Sequence, residues 1–257
     1  MGEVFPVLEI AALAAGACFA GAMNAIAGGG TIVTFPLLIT CGMPAIQANA
    51  TSTVALTVGI FGSVYGYRQN LAAARPWMKL LAPVSIVGSL LGSWLLTVTS
   101  EKFFNGLVPF LILFATVLFL IGNTVNHLAG LDSKGEELDG FKKFAVAAVQ
   151  FGVAIYGGYF GAGIGILMLA SFAFIGLQNI HDMNAVKTVL GGIINIVAAV
   201  YFIQADLVEW PEAIVMMIGS AVGYYGGAAF SQKIPQQLVR LIIAAIGLTL
   251  SAVFFWQ

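Results

Sequence analysis

Three consecutive glycines, Gly28, Gly29 and Gly30, interrupt an apolar run long enough to cross a bilayer. Residues without Cβ lose helix propensity and favour unwound backbone, so the run cannot continue as one regular helix. A segment of eleven residues follows at 31–41, then a turn at Cys41-Gly42-Met43-Pro44 and a polar run ending Ala50-Thr51-Ser52-Thr53. At 1.5 Å per residue eleven residues reach only about 16 Å, roughly half the hydrocarbon thickness. The pattern returns 133 residues later, with a break at Gly161-Ala162-Gly163, a short apolar segment at 164–176, and Asn184-Ala185-Val186-Lys187-Thr188. Two short, glycine-broken apolar segments at matching places in two halves point to the binding region of a transporter.

Composition sets the medium. Only 8% of the 257 residues are charged, against about 25% in a soluble domain, and mean hydropathy is +0.99. Most of the surface is therefore expected to face lipid. A net charge of −1 offers no basic field for nucleic acid. Cys18 and Cys41 lie inside apolar segments and read as free, packed thiols. Neither His127 nor His181 has neighbours at ligand spacing, so no metal or cofactor is implied. Glu3 and Glu9 precede any Lys or Arg, which first occur at Arg68, so the first segment reads as a retained span rather than a cleaved leader.

The apolar segments are 4–27, the short 31–41, 50–67, 76–98 and 103–122, then 144–160, the short 164–176, 184–204, 211–230 and 235–256. The fold class they predict is an all-α polytopic membrane protein of two homologous halves, 1–123 and 144–257, joined by a polar cytoplasmic linker at 124–143. Each half has four full helices and one short glycine-interrupted helix, giving eight to ten membrane segments. Matching positions recur in order: Gly28 and Gly30 with Gly161 and Gly163, Asn49 and Thr53 with Asn184 and Thr188, Gly88-Ser89-x-x-Gly92 with Gly219-Ser220-x-x-Gly223. The G-x-x-x-G spacing lets helix backbones approach closely in lipid, where van der Waals packing drives association.

Lys and Arg in short loops set orientation. Arg68, Arg75 and Lys79 place the loop after the third segment in the cytoplasm, whereas Asp206, Glu209 and Glu212 place the loop after the eighth outside. Equivalent loops of the two halves thus differ in side, which requires an odd number of crossings per half and inverted repeats. The alternative arrangement lets the short segments re-enter on one side, giving eight crossings and parallel halves.

At each break, helix N-termini present amides and a positive dipole end to an anion. In the first half the candidate substrate-binding residues are Asn24, Gly28, Gly29, Gly30, Thr31, Asn49, Thr51 and Ser52; in the second, Gly161, Gly163, Asn184, Lys187 and Thr188. Asn49 and Asn184 are expected as N-caps of the segments that follow them. Lys187 is the one basic residue in either break region and would serve as counter-charge to an anionic cargo. His181 and Asp182 are candidates for proton coupling. Purely structural readings remain beside these: glycines for close packing, Asn and Ser/Thr for interhelical hydrogen bonds, and a Lys187 that snorkels to the interface. No catalytic set is present, which argues against an enzyme.

The chain resembles the sulfite exporter TauE/SafE family. The resemblance rests on Gly21-x-x-Asn24-x-x-x-Gly28-Gly29-Gly30, Pro36-Leu37-Leu38, Gly42-x-Pro44 and Ala50-Thr51-Ser52 in the first half. In the second it rests on Tyr156-Gly157-x-x-x-Gly161-x-Gly163, Asn184-Ala185-x-Lys187, Asn195 and Asp206-Leu207-Val208-Glu209-Trp210. The family is understood as membrane permeases for small anions, many of them sulfite, sulfonates and other organosulfur compounds, some of them organic carboxylates. The resemblance implies a multi-pass carrier in the inner (plasma) membrane, monomeric or homodimeric, moving a small sulfur-containing anion by alternating access between the two repeats. A coupling proton or ion could accompany it. Organic carboxylate carriage and a passive anion channel are the alternatives. The second half departs from the pattern at Gly161-Ala162-Gly163-Ile164-Gly165 and has Leu169 near the place of Pro36.

Overall fold

The structure is a computed structural model that describes residues 7–26, 29–66, 71–129, 140–174, 180–230 and 236–256, with some side chains inside the helices left aside. It is all-helical over these residues: α1 (Val7–Ile26), α2 (Thr31–Thr40), α3 (Ala45–Gly66), α4 (Leu71–Val98), α5 (Glu101–Ala129), α6 (Gly140–Tyr159), α7 (Ile164–Phe174), α8 (Ile180–Gln204), α9 (Trp210–Phe230) and α10 (Gln236–Phe255). Among the described residues, stretches within α1, α4, α5 and α8 are long and apolar enough to cross a membrane. Large apolar side chains face outward, with Val7 83%, Phe103 62% and Tyr225 84% exposed. A soluble monomer rarely shows so much contiguous apolar surface, whereas a helix in lipid must. Polar side chains instead turn inward: Thr34, Asn49, Thr51, Ser52, Ser85, Ser89, Gln150 and Ser220 are all buried.

Four helices start four or five residues before the sequence expectation, α6 among them at Gly140 rather than 144. α3 opens at Ala45 rather than residue 50, α4 at Leu71 rather than 76, and α8 at Ile180 rather than 184. At α3 the reason is a cap from elsewhere: the Ala45 N–H donates to the Glu101 carboxylate, and the Ile46 N–H lies 3.4 Å from each of its oxygens. A carboxylate at a helix N-terminus satisfies orphan amides and complements the dipole. α5 continues to Ala129 and α6 begins at Gly140, both inside the stretch expected as linker.

The helices pair across the chain rather than with sequence neighbours. α1 packs chiefly on α9 and α4 chiefly on α6. A Cβ at Gly223 would strike the Cys18 carbonyl and one at Gly219 the Ala14 carbonyl; reciprocally, one at Gly21 would strike the Ser220 carbonyl. The second pair repeats this, with Gly92 on the Ile155 carbonyl, Gly88 at 2.9 Å from the Phe151 carbonyl, and Gly158 on the Ser89 carbonyl. Small residues are therefore obligatory where backbones touch. Moving from Gly219 to Gly223 shifts the contact from Ala14 to Cys18, and moving from Gly88 to Gly92 shifts it from Phe151 to Ile155, so α1 runs with α9 and α4 with α6.

Serines then lock each pair to a third helix. Ser89 Oγ donates to the Ile194 carbonyl of α8 at 2.7 Å, and Ser220 Oγ to the Ala55 carbonyl of α3 at 2.7 Å. Glu209, just before α9, and Ser220 and Tyr224 on it meet Thr51, Ala55 and Gly59 of α3 in ascending order, so α3 also runs with α9. α4 ends just before Glu101, which caps the start of α3, so α4 runs against α3. α5 and α10 form the remaining major pair, tied by Ser251 Oγ on the Pro109 carbonyl at 2.9 Å.

Candidate functional site

At the first break Gly29 adopts φ 93°, a left-handed turn open to glycine at little cost. The chain then doubles back: Asn24 meets Gly30, and Gly16 faces Leu37, so α2 runs antiparallel along α1. Asn24 Oδ1 accepts the Gly30 N–H at 2.6 Å. The Ile32 N–H goes to the Gly29 carbonyl and the Val33 N–H to the Gly30 carbonyl, both at 3.0 Å. Much of the amide end of α2 is thus satisfied from within. Thr34 Oγ1 donates to the Gly30 carbonyl at 3.2 Å and shares a 2.6 Å hydrogen bond with Ser52 Oγ. Thr31 opens the helix and is half-buried.

Thr51 and Ser52 are fully buried and both engaged. Ser52 turns to the first break through Thr34, while Thr51 Oγ1 accepts the Glu209 N–H at 3.1 Å, just before α9. Asn49 does not cap a helix as expected. With α3 starting at Ala45 it stands in the second turn, 1% exposed, and its Nδ2 donates to the Tyr159 carbonyl at 2.9 Å. Tyr159 is the last residue of α6, so a first-half side chain reaches the second break.

There the Phe160 and Gly161 amides both donate to the Tyr156 carbonyl, at 2.9 and 3.1 Å, and Gly161 and Gly163 take φ 81° and 78°. Tyr156 OH donates to the Ala162 carbonyl at 2.8 Å, and α7 opens with the Ile166 N–H on the Gly163 carbonyl at 3.0 Å. Aromatic rings tie this break to α2. Phe35 of α2 stands edge-on to Phe160 at 5.4 Å and to Phe104 at 6.3 Å, and Phe104 meets Tyr159 at 5.7 Å. Each such pair contributes about 0.5–1.5 kcal/mol beyond burial. The middle of α2 and the second break are therefore neighbours in space.

Lys187 stands in the second turn of α8, since that helix begins at Ile180. A Cβ on Gly165 would lie 3.3 Å from its Cδ, so the lysine stem lies against the first turn of α7. Thr188 beside it is half-buried. Asn184 falls inside α8 and so is not its N-cap. Gly28 and the side chains of Asn184, His181 and Asp182 lie outside the described residues.

The breaks are unequal. The position matching Asn24 is Gly157, so α7 lacks the asparagine that closes the start of α2; the position matching Ser52 is Lys187. Two participants escaped the sequence reading. Thr34 had a weak signal, a hydroxyl one turn beyond the glycines, and Glu101 a better one, an acid between two apolar spans.

A family model of the sulfite exporter TauE/SafE family matches residues 13–254, which takes in both breaks and all the helix pairs above. The chain belongs to the sulfite exporter TauE/SafE family. Among its relatives, a "probable membrane transporter protein" of Haemophilus influenzae is 28% identical over 232 residues, covering 90% of this chain and 88% of the relative. The "probable membrane transporter protein YfcA" of Escherichia coli strain K12 is 27% identical over 237 residues, 92% and 86% of the two chains. The "probable membrane transporter protein ORF9" of a Sinorhizobium species is 23% identical over 252 residues, 94% and 90%. No solved structure matches the chain.

Proposed function

We propose that this TauE/SafE protein carries a small anion, of the sulfite and organosulfonate class, across the cell inner membrane by alternating access, and that the anion binds at the second break. The observation that carries the site is Lys187 lying along the first turn of α7. A lysine there adds its charge to the positive end of the helix dipole, and an ionised amine inside a membrane is costly unless it serves a ligand or a partner. The missing asparagine at Gly157 supports the same side, because at the first break Asn24 already takes the Gly30 N–H. The sulfur-containing cargo comes from the family's description, and the transporter reading is supported by the relatives' names.

The reading includes two inverted repeats, 1–123 and 144–257, about the linker 124–143. Helix direction supports it: α4 runs against α3, α3 runs with α9 and hence with α1, and α6 runs with α4. The leading helices of the two halves then point opposite ways. Alternating access follows from rocking one repeat on the other around a fixed midplane site.

The test is uptake into proteoliposomes of radiolabelled sulfite, with sulfonates and carboxylates as competitors. Saturable uptake displaced by sulfonates is expected. A hydrogen bond to a charged group contributes about 1.5–3 kcal/mol, so Lys187→Met should weaken apparent affinity on the order of tenfold to a hundredfold. Lys187→Arg should keep part of it, since charge persists while geometry changes. Unchanged affinity in Lys187→Met would overturn the site, and displacement by carboxylates alone would overturn the cargo.

A further inference from the structure

We propose that Asn49 and the C-terminal end of α6 form a binding site for a small monovalent cation of the sodium class. Asn49 is 1% exposed, and its Oδ1 has no hydrogen-bond partner among the described residues. The amide cannot be turned round to help, because Nδ2 already serves the Tyr159 carbonyl and exchange would set oxygen against oxygen. A buried acceptor left so is expensive, and only a donor or a cation relieves it.

The surroundings favour a cation. α6 ends at Tyr159, and the next two amides both go to the Tyr156 carbonyl rather than each to its own. The last carbonyls of the helix look to side chains instead: Asn49 Nδ2 donates to the Tyr159 carbonyl, and the Ser93 hydroxyl, whose one proton has its shorter bond to the Ser89 carbonyl at 2.8 Å, lies 3.3 Å from the Gly158 carbonyl. Each of these oxygens keeps a second lone pair. A helix C-terminus also carries the negative end of the dipole, and half-helix C-termini with unwound carbonyls are where alkali ions sit in lipid. Lys187, at the α7 side of the break, does not bond Asn49 Oδ1. The second break therefore offers opposite polarities to either side, amides and a lysine at α7, carbonyls and Asn49 at α6. A cation bound at the second would balance the charge of an anion bound at the first.

That consequence rests on the proposed transport reading; cation binding itself is measured with no candidate anion present. The probe is thermal unfolding of the full chain in detergent, titrated with sodium chloride against choline chloride at constant ionic strength. A saturable rise in the midpoint with sodium is expected. Asn49→Leu should lose that increment. Asn49→Asp loses the donor to Tyr159 and should be less stable in choline, yet recover in sodium at concentrations roughly tenfold lower than wild type needs, because ligand charge tightens cation binding. A purely structural asparagine, or one satisfied by water, would show no such rescue. Equal midpoints for wild type in sodium, lithium, potassium and choline overturn the proposal, as does an Asn49→Asp protein that sodium fails to restore. A sodium increment without any anion uptake would leave the cation site standing and remove the anion reading.

Discussion

Asn24 Oδ1 accepts the Gly30 N–H at 2.6 Å, closing a break in the helix with a side chain from the turn before it. The asparagine supplies what three glycines take away. Unwound backbone in a membrane needs a partner from the protein, from water or from cargo, and here the first turn of α2 has one.

Asn24→Leu leaves the Gly30 amide without its acceptor and should cost about 1–3 kcal/mol of stability. Asn24→Asp keeps an acceptor in place and should retain most of it. Unfolding midpoints of the purified protein in detergent check the pair. Equal midpoints for Asn24→Leu and wild type would show that the bond contributes nothing.

Glu101 holds the first amides of α3 from the first turn of α5. Glu101→Ala should cost about 0.5–2 kcal/mol, the usual range for a lost cap, with Glu101→Gln between it and wild type. Hydrogen exchange at Ala45 and Ile46 should speed up in Glu101→Ala while the middle of α3 stays protected.

The glycines of α4 and α5 should respond in opposite ways. A Cβ at Gly92 meets the Ile155 carbonyl, and backbone cannot rotate aside as a side chain can. Gly92→Ala should cost about 1–3 kcal/mol, as overpacking does. At Gly106 nothing lies within 4 Å of the added atom, so Gly106→Ala should be neutral or stabilising by up to about 1 kcal/mol through helix propensity. Detergent-solubilised yield and unfolding midpoint measure both.

The proposed inverted repeats, oriented by the loop charges, would place the loop before α9 outside and residue 134 inside. In a background with Cys18 and Cys41 replaced, Ala205→Cys should react with an impermeant maleimide added to intact cells, and Lys134→Cys only after lysis. Labelling in the reverse order would refute the orientation, and labelling of both from outside would refute the inversion.

The sequence by itself determined the medium, the order of long and short apolar segments, and the places where helix stops. Each of these is local. Twenty apolar residues fit one bilayer thickness, and glycine at Gly29 can take φ 93° at little cost wherever it occurs. The G-x-x-x-G pairs also announced close contact in advance.

Which backbone each glycine would meet was decided by the tertiary structure. In lipid a helix is apolar on every side, so no stripe marks the face that packs, and nothing near Gly223 names Cys18 as its neighbour. The same holds for caps. Asn49 stands in a sequence that reads as a helix start, yet the amides it was expected to serve were not at a helix end. Glu101, 56 residues from Ala45, had already moved that end one turn earlier. Asn49 was thereby freed for Tyr159, at a distance of 110 residues. Hydrogen bonds that close a helix end in a membrane come from whichever chain segment packs there, and only the assembled bundle brings that segment into reach.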